Sequence, residues 1–376
     1  PNPNPNPNPN PNPNPKVDLG GTNCRAALVR DTGVIMHVLR EGLDGREFGV
    51  VVAQIHRLAE LVLAEKGLGW GHIRAIGIGG PGLCRNGTIV GAANFPSWHD
   101  VPLASAVRGR CGNRPTYLVN DADAAVEAEA WVGAAATHKL QHVVLISLGT
   151  GVGTGAIAGG RLLQGSRACI EGGHVLCEPG GRRCPCGQRG CAEAYSSARA
   201  IKERYGEKGG EVGVDAREIF RRAKEGEALA AETVQEAIEM IARMCINISR
   251  VLDPEAFVFS GGISGLGEPF LERIRARFQE LRWTVLPDEQ QFLLASVGAD
   301  SGIPNRIIGA AGAARRAIAE RRYLPCEVSD AALQTEDVSA EADANPDSKA
   351  DPNPSPDPNP NPNPSPRPNP SPKPPA

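Results

Sequence analysis

Apolar and polar positions alternate along the chain in a way that predicts layers of strand and helix. "AALVR" and "VIMHVL" read as strands that continue a hairpin from "VDLGG", and "VVAQIHRLAELVLAEKG" then switches to helical spacing with a glycine stop. "IRAIGIGGPG" is a short apolar strand ending in a turn. "TYLVND" is another strand, and the alanine-rich "ADAAVEAEAWVGAAA" after it reads as a helix. "HVVLISLGTGVGTGAIAGG" predicts two strands joined by a glycine turn, an echo of the arrangement near residue 18. From Asp215 to Leu252 the spacing is helical, and "AETVQEAIEMIARMCINISRVL" is long enough to require burial along one face. "AFVFSGGIS" returns to strand and glycines, and "LERIRARFQELR" and "GAAGAARRAIAERR" supply late helices. One strand-and-glycine-turn unit per half predicts a duplicated α/β lobe closing over a ligand.

Composition changes this picture mainly at the ends. Of 376 residues, Pro1 to Asn14 alternate Pro and Asn, and a Pro/Asn/Ser run extends from about Asn345 to Ala376. Such segments bury too little apolar surface to offset their ordering entropy, so both are expected to be extended and disordered. The remainder suits two lobes at the usual ~150 residues per domain. The expected division is a tail at 1–15, a smaller N-terminal lobe at 16–120, a larger lobe at 121–322 carrying a knuckle at 174–191, and a polar tail at 323–376. A formal net charge of −3 without a basic block gives no footprint for nucleic acid or an anionic membrane, which leaves a small molecule as the expected partner. No apolar run approaches the ~20 residues of a membrane span, and the start lacks a signal-peptide pattern, so the expected location is the cytoplasm. Ten cysteines, four clustered and six scattered, fit a reducing compartment with one metal site better than a disulfide scaffold.

Three stretches place glycines directly after an apolar strand: "VDLGGTNCR", "SLGTGVGTG" and "FSGGIS". Unobstructed backbone N–H groups at such turns can meet phosphate oxygens, and Asp18 stands where it could hold a hydrated cation. None matches the P-loop pattern, and a lone turn of this kind is more often a plain hairpin. In "LVNDADAA", Asp121 lies at a strand-to-helix junction, suited either to accepting a proton from an alcohol or to capping the helix. Asp123 reads as a first-turn residue stabilised by the helix dipole. "EGGHVLCEPGGRRCPCGQRGCAE" supplies the strongest local signal. His174, Cys184, Cys186 and Cys191 form a set that closes tetrahedral zinc with no position left for water, hence a structural metal rather than a hydrolytic one. Cys177 is a substitute ligand, and a disulfide is the competing reading.

Taken together, "DLGGTNCR", "GIGGPG", "NDADAA", "LGTGVG", "EGGH", "CPCGQRGCAE" and "SGGIS" resemble the ROK family (repressor, open reading frame, kinase), within it the ATP-dependent glucokinases, over residues 16 to about 322. The resemblance implies an actin-like, hexokinase-type α/β fold of two lobes with a hexose and ATP in the cleft, magnesium with the nucleotide, a structural zinc, and a homodimer. On matching positions it makes Asp121 the base for the sugar hydroxyl. Asn94, Asn120, Glu171, His174 and Glu193 become sugar contacts, with one nitrogen of His174 on zinc and the other toward the sugar. Asp18 is then expected to help place magnesium. Gly20, Gly21, Thr22, Gly149, Thr150 and Gly151 are expected around the phosphates, and Gly261 and Gly262 beside the adenine nucleotide. The expected reaction is phosphorylation of glucose; the alternatives are an N-acetylhexosamine or fructose kinase, or an inactive sugar-sensing protein.

Four features depart from the family pattern. Asp123 stands where asparagine is usual, adding negative charge beside Asp121 and raising its pKa. Cys169-Ile170 replaces the usual Ala-Gly before Glu171, and no helix-turn-helix precedes Asp18, which argues against the repressor branch. Finally, only Lys16 and Val17 separate Asp18 from proline-rich sequence, so the first strand is expected to be truncated, as in a fragment.

Overall fold

The computed structural model describes residues 14–166, 170–283, 285, 289–298 and 305–320. Residues 1–13 of the expected N-terminal tail, all of the expected tail at 323–376, and Cys169 lie outside them. The described residues belong to one compact unit built on two five-stranded sheets of matching topology.

The first sheet has the order β3-β2-β1-β4-β8, from β1 (Asn14–Leu19), β2 (Asn23–Val29), β3 (Ile35–Gly42), β4 (Ile76–Gly80) and β8 (Thr116–Asn120). β1, β2 and β3 form an antiparallel meander, whereas β1–β4 and β4–β8 are parallel. The second sheet repeats the plan as β11-β10-β9-β12-β13, from β9 (Val143–Leu148), β10 (Val152–Ala158), β11 (Arg161–Leu162), β12 (Ala256–Ser260) and β13 (Gln291–Leu294). Its β9–β10–β11 meander is antiparallel, and β9–β12 and β12–β13 are parallel. The echo read from the two glycine turns is therefore a repeated sheet.

Parallel strands covered on both faces need apolar residues throughout, and "IGIGG" and "AFVFS" are buried at every position. Helix α1 (Phe48–Ala64) covers the first sheet, joined by α2 (Leu103–Arg110). The second is covered by a layer of α5 (Glu193–Ser196), α6 (Ala198–Glu207), α7 (Ala216–Lys224), α8 (Ala228–Leu252) and α9 (Glu268–Leu281). Helix α3 (Asp121–Val132), followed by the short α4 (Ala134–Thr137), contacts both sheets. Among the described residues no helix is long and apolar enough to cross a membrane.

Three expectations change. The first strand is not cut short at Lys16: the backbone of Asn14 and Pro15 pairs with Val29 and Leu28, while the register with β4 begins only at Lys16. Pro15 thus has a strand neighbour on one side, where a missing N–H is tolerated. The last helix, α10 (Asn305–Ala319), does not stay with the second half; it returns to pack on α3, β4 and β1. Glycines permit that approach, since a Cβ on Gly309 would lie 1.5 Å from the Ala124 carbonyl oxygen and one on Gly77 1.9 Å from that of Ala310. Lastly, the stretch between β4 and β8 forms a third sheet of β5 (Leu83–Arg85), β6 (Thr88–Ala92) and β7 (Phe95–Val101). Its first hairpin turns on Asn86-Gly87, both with positive φ (49° and 80°), an Asn-Gly signal legible in the sequence.

Candidate active site

A cavity of about 990 Å³ opens between the two sheets, and most of the residues singled out in the sequence line it. Asp121 and Asn120 enter from the end of β8, Asn94 from the β6–β7 turn, and Gly149, Thr150 and Gly151 from the β9–β10 turn. Glu171, His174 and Glu193 enter from the cysteine knuckle, and Gly261 from the end of β12. Gly262, Asp18, Gly20, Gly21 and Thr22 do not line it.

Asp121 is the first residue of α3, not its cap. The cap is Asn120, whose side-chain oxygen accepts from the Ala122 N–H at 2.8 Å while its amide donates to the Gly82 carbonyl at 2.7 Å. Asn120 is thereby fixed between strand, helix and the β4–β5 turn, and it sets the direction of its neighbour. The Asp121 side chain is 49 % exposed, but toward the cleft. Burial there raises its carboxyl above the ordinary value, against the opposing charge of Arg306, whose Nη1 lies 3.8 Å away. Asp18 adds a smaller upward push. Asp123 does stand in the first turn of α3, as expected, but it is buried at 1 % exposure. Its own pKa is raised to about 7 by burial, and among the described residues its one hydrogen bond is from Gln164 at 3.3 Å.

The knuckle is held against the second sheet by close backbone approach. The Thr154 hydroxyl donates to the Ile170 carbonyl at 2.7 Å and accepts from the Gly172 N–H at 2.6 Å, clamping both sides of Glu171. A Cβ on Gly173 would stand 2.1 Å from the Val152 carbonyl oxygen, so "EGGH" needs its glycines. Glu193 accepts from the Val152 N–H at 2.8 Å. The ligand atoms of His174, Cys184, Cys186 and Cys191 all lie within 4.8 Å of one another. Cys184 Sγ is 3.6 Å from His174 Nδ1, and Cys186 Sγ is 3.6 Å from Cys191 Sγ. These separations match the edges of a tetrahedron with bonds of about 2.0–2.3 Å and exceed the disulfide length of about 2.05 Å. The four residues therefore fit zinc in chemistry, number and spacing, and Nδ1 on the thiol side leaves Nε2 for the cavity. Cys177 stands outside the cluster.

Asp18 is buried between two guanidinium groups rather than lining the cavity. It is 1 % exposed, with Oδ2 2.8 Å from Arg25 Nη1 and Oδ1 2.7 Å from Arg306 Nε. The β1–β2 turn is likewise covered: a Cβ on Gly21 would lie 2.7 Å from Asn94 Cγ, and Arg46 donates to the carbonyls of both Asn94 (2.7 Å) and Gly21 (3.3 Å).

A sequence model of the ROK family matches residues 16–316. The chain belongs to the ROK family. A glucokinase from Thermotoga maritima is 36 % identical over 280 residues, 69 % of this chain and 85 % of the relative. An N-acetylmannosamine kinase from Shigella boydii is 32 % identical over 267 residues, 69 % of this chain and 86 % of that one. The crystal structure of a ROK family glucokinase from Streptomyces griseus in complex with glucose and AMPPNP superposes with a TM-score of 0.65 at 29 % identity, covering 81 % of this chain and 99 % of that one. The fold of this ROK protein is thus the actin-like, hexokinase-type one. Sequence reading missed Thr154 and Arg306 in the cavity lining and Arg46 over the β1–β2 turn, because each acts through residues outside its own element; only the isolated basic residue in "NRIIGAAG", on an otherwise apolar helix start, hinted at Arg306.

Proposed function

We propose that the protein transfers the terminal phosphate of ATP to a hexose, glucose first among them. The observation that carries this is one cavity shared by Asp121 and the knuckle's Glu171, His174 and Glu193, on a ROK family chain. Asp121, aimed by Asn120 and with burial's upward push on its carboxyl opposed by the neighbouring Arg306, takes the proton of the attacking hydroxyl. Glu171, Glu193 and Nε2 of His174 bind other hydroxyls. His174, Cys184, Cys186 and Cys191 would hold a zinc ion that supplies no chemistry beyond fixing the imidazole's tautomer and direction, with Glu171 and Glu193 at the two ends of the knuckle facing one substrate. The β9–β10 turn and Gly261 leave backbone close to the nucleotide, whose magnesium arrives with it. Positioning of this kind suits phosphoryl transfer, in which alignment and charge neutralisation make most of the rate.

The test is sugar-dependent ADP release over glucose, N-acetylmannosamine and fructose, for the wild type and Asp121→Asn. Turnover with glucose and a loss of about 10²–10⁴-fold in the variant, with glucose binding retained, is expected. A preference for N-acetylmannosamine would move the substrate to the second reading, which the Shigella boydii relative favours. No turnover with any sugar by zinc-loaded protein would overturn the kinase reading. Sugar binding retained without turnover would favour the sugar-sensing alternative.

A further inference from the structure

One cavity-lining side chain, contained in neither the glycine turns nor the knuckle, stands beside the residues of the first sheet that were expected to meet the phosphates. Arg306, at the start of α10, lines the cavity and is 32 % exposed. Its guanidinium spans three points. Nε stands 2.7 Å from Asp18 Oδ1, Nη1 stands 3.8 Å from Asp121 Oδ2, and Nη2 lies 4.0 Å from where a Cβ on Gly20 would be. It is therefore between the first glycine turn and the proposed base. The contacts hold it without locking it: Nε and Asp18 Oδ1 are at ion-pair distance but misaligned for a hydrogen bond, and neither has another partner. Nη1 is also too far from Asp121 for a hydrogen bond. A cation in that state, in a cleft where a phosphate must lie near the base, has donors to give to an anion.

We infer that Arg306 binds the terminal phosphate of ATP and neutralises the charge that develops on it during transfer, beside the magnesium that accompanies the nucleotide. The inference rests on the kinase reading. In the step, the sugar hydroxyl oxygen bonds to the terminal phosphorus, the bond from that phosphorus to the bridging oxygen breaks with its electron pair leaving on ADP, and the hydroxyl proton goes to Asp121. Arg306 donates to the non-bridging oxygens throughout and is unchanged at the end. Asp18 positions Arg306, and Arg25 holds Asp18.

The decisive comparison is calorimetric binding of AMPPNP against ADP, with kcat and glucose affinity alongside, for wild type, Arg306→Gln and Arg306→Lys. Glutamine keeps a donor for Asp18, so it guards against simple misfolding. Arg306→Gln is expected to weaken AMPPNP binding about 10–100-fold and leave ADP and glucose binding within about twofold. Its kcat should fall about 10²–10³-fold, with Arg306→Lys in between. Equal losses for AMPPNP and ADP, no loss for either, or a kcat within about threefold of wild type would overturn the inference. A wild type without sugar-dependent turnover would sink the kinase reading instead, and the AMPPNP-to-ADP contrast would still judge Arg306.

Discussion

Replacing Asp123 by asparagine should stabilise the protein in a pH-dependent way. The carboxyl is buried to 1 % exposure, one of its oxygens has no partner, and the other receives a single 3.3 Å hydrogen bond. Its pKa is raised from 3.8 to about 7, chiefly by burial, then by the neighbouring carboxylates Glu127, Asp121 and Glu171 against the Gln164 hydrogen bond. For an acid raised in this way the folded state binds the extra proton. The cost is absent below the unfolded pKa, grows as pH rises, and is complete above the folded one. At about 1.36 kcal/mol per pH unit, the span from 3.8 to about 7 amounts to about 4 kcal/mol. The amide N–H2 introduced by Asp123→Asn would offset part of this, by about 1–3 kcal/mol if unpaired, but that offset does not vary with pH. The measurement is urea unfolding followed by tryptophan fluorescence at about pH 4, 6 and 8 for both proteins. The variant's advantage should widen by about 4 kcal/mol across that range. An advantage that stays flat with pH would refute the burial argument, whatever its absolute size.

Two further outcomes follow from the site. Cys191→Ser should reduce bound zinc from one per chain to none by metal analysis and weaken glucose affinity about 10–100-fold, since sugar donors and acceptors lose their orientation; unchanged affinity without zinc would separate the knuckle from recognition. Gly261→Ala should destabilise by about 2–4 kcal/mol in chemical unfolding, because φ is +91° there and the new Cβ would lie 2.4 Å from the Leu148 carbonyl oxygen. A loss below about 0.5 kcal/mol would show that the β12 turn relaxes freely.

Local chemistry made much of this protein legible. Most strands of the two sheets follow from short apolar runs, since a parallel strand covered on two faces cannot alternate; that pattern does not single out β11 and β13. The long α8 follows from its one-sided spacing. The knuckle is readable because its four ligands lie within eighteen residues of chain, close enough for spacing and residue type to define a coordination shell. The small sheet of β5 to β7 was also readable, through Asn86-Gly87, but its strands carry weak patterns of burial.

What the sequence by itself determined is therefore the set of local units: the strands, the glycine turns and the cysteine cluster, each specified by neighbours along the chain. Only tertiary structure decided that Asp123 is buried within its first turn, that Asn120 caps the helix so that Asp121 is free to face the cleft, and that α10 crosses back to carry Arg306 between Asp18 and Asp121. These outcomes depend on packing between segments up to nearly three hundred residues apart, and such packing leaves no periodic trace in either segment.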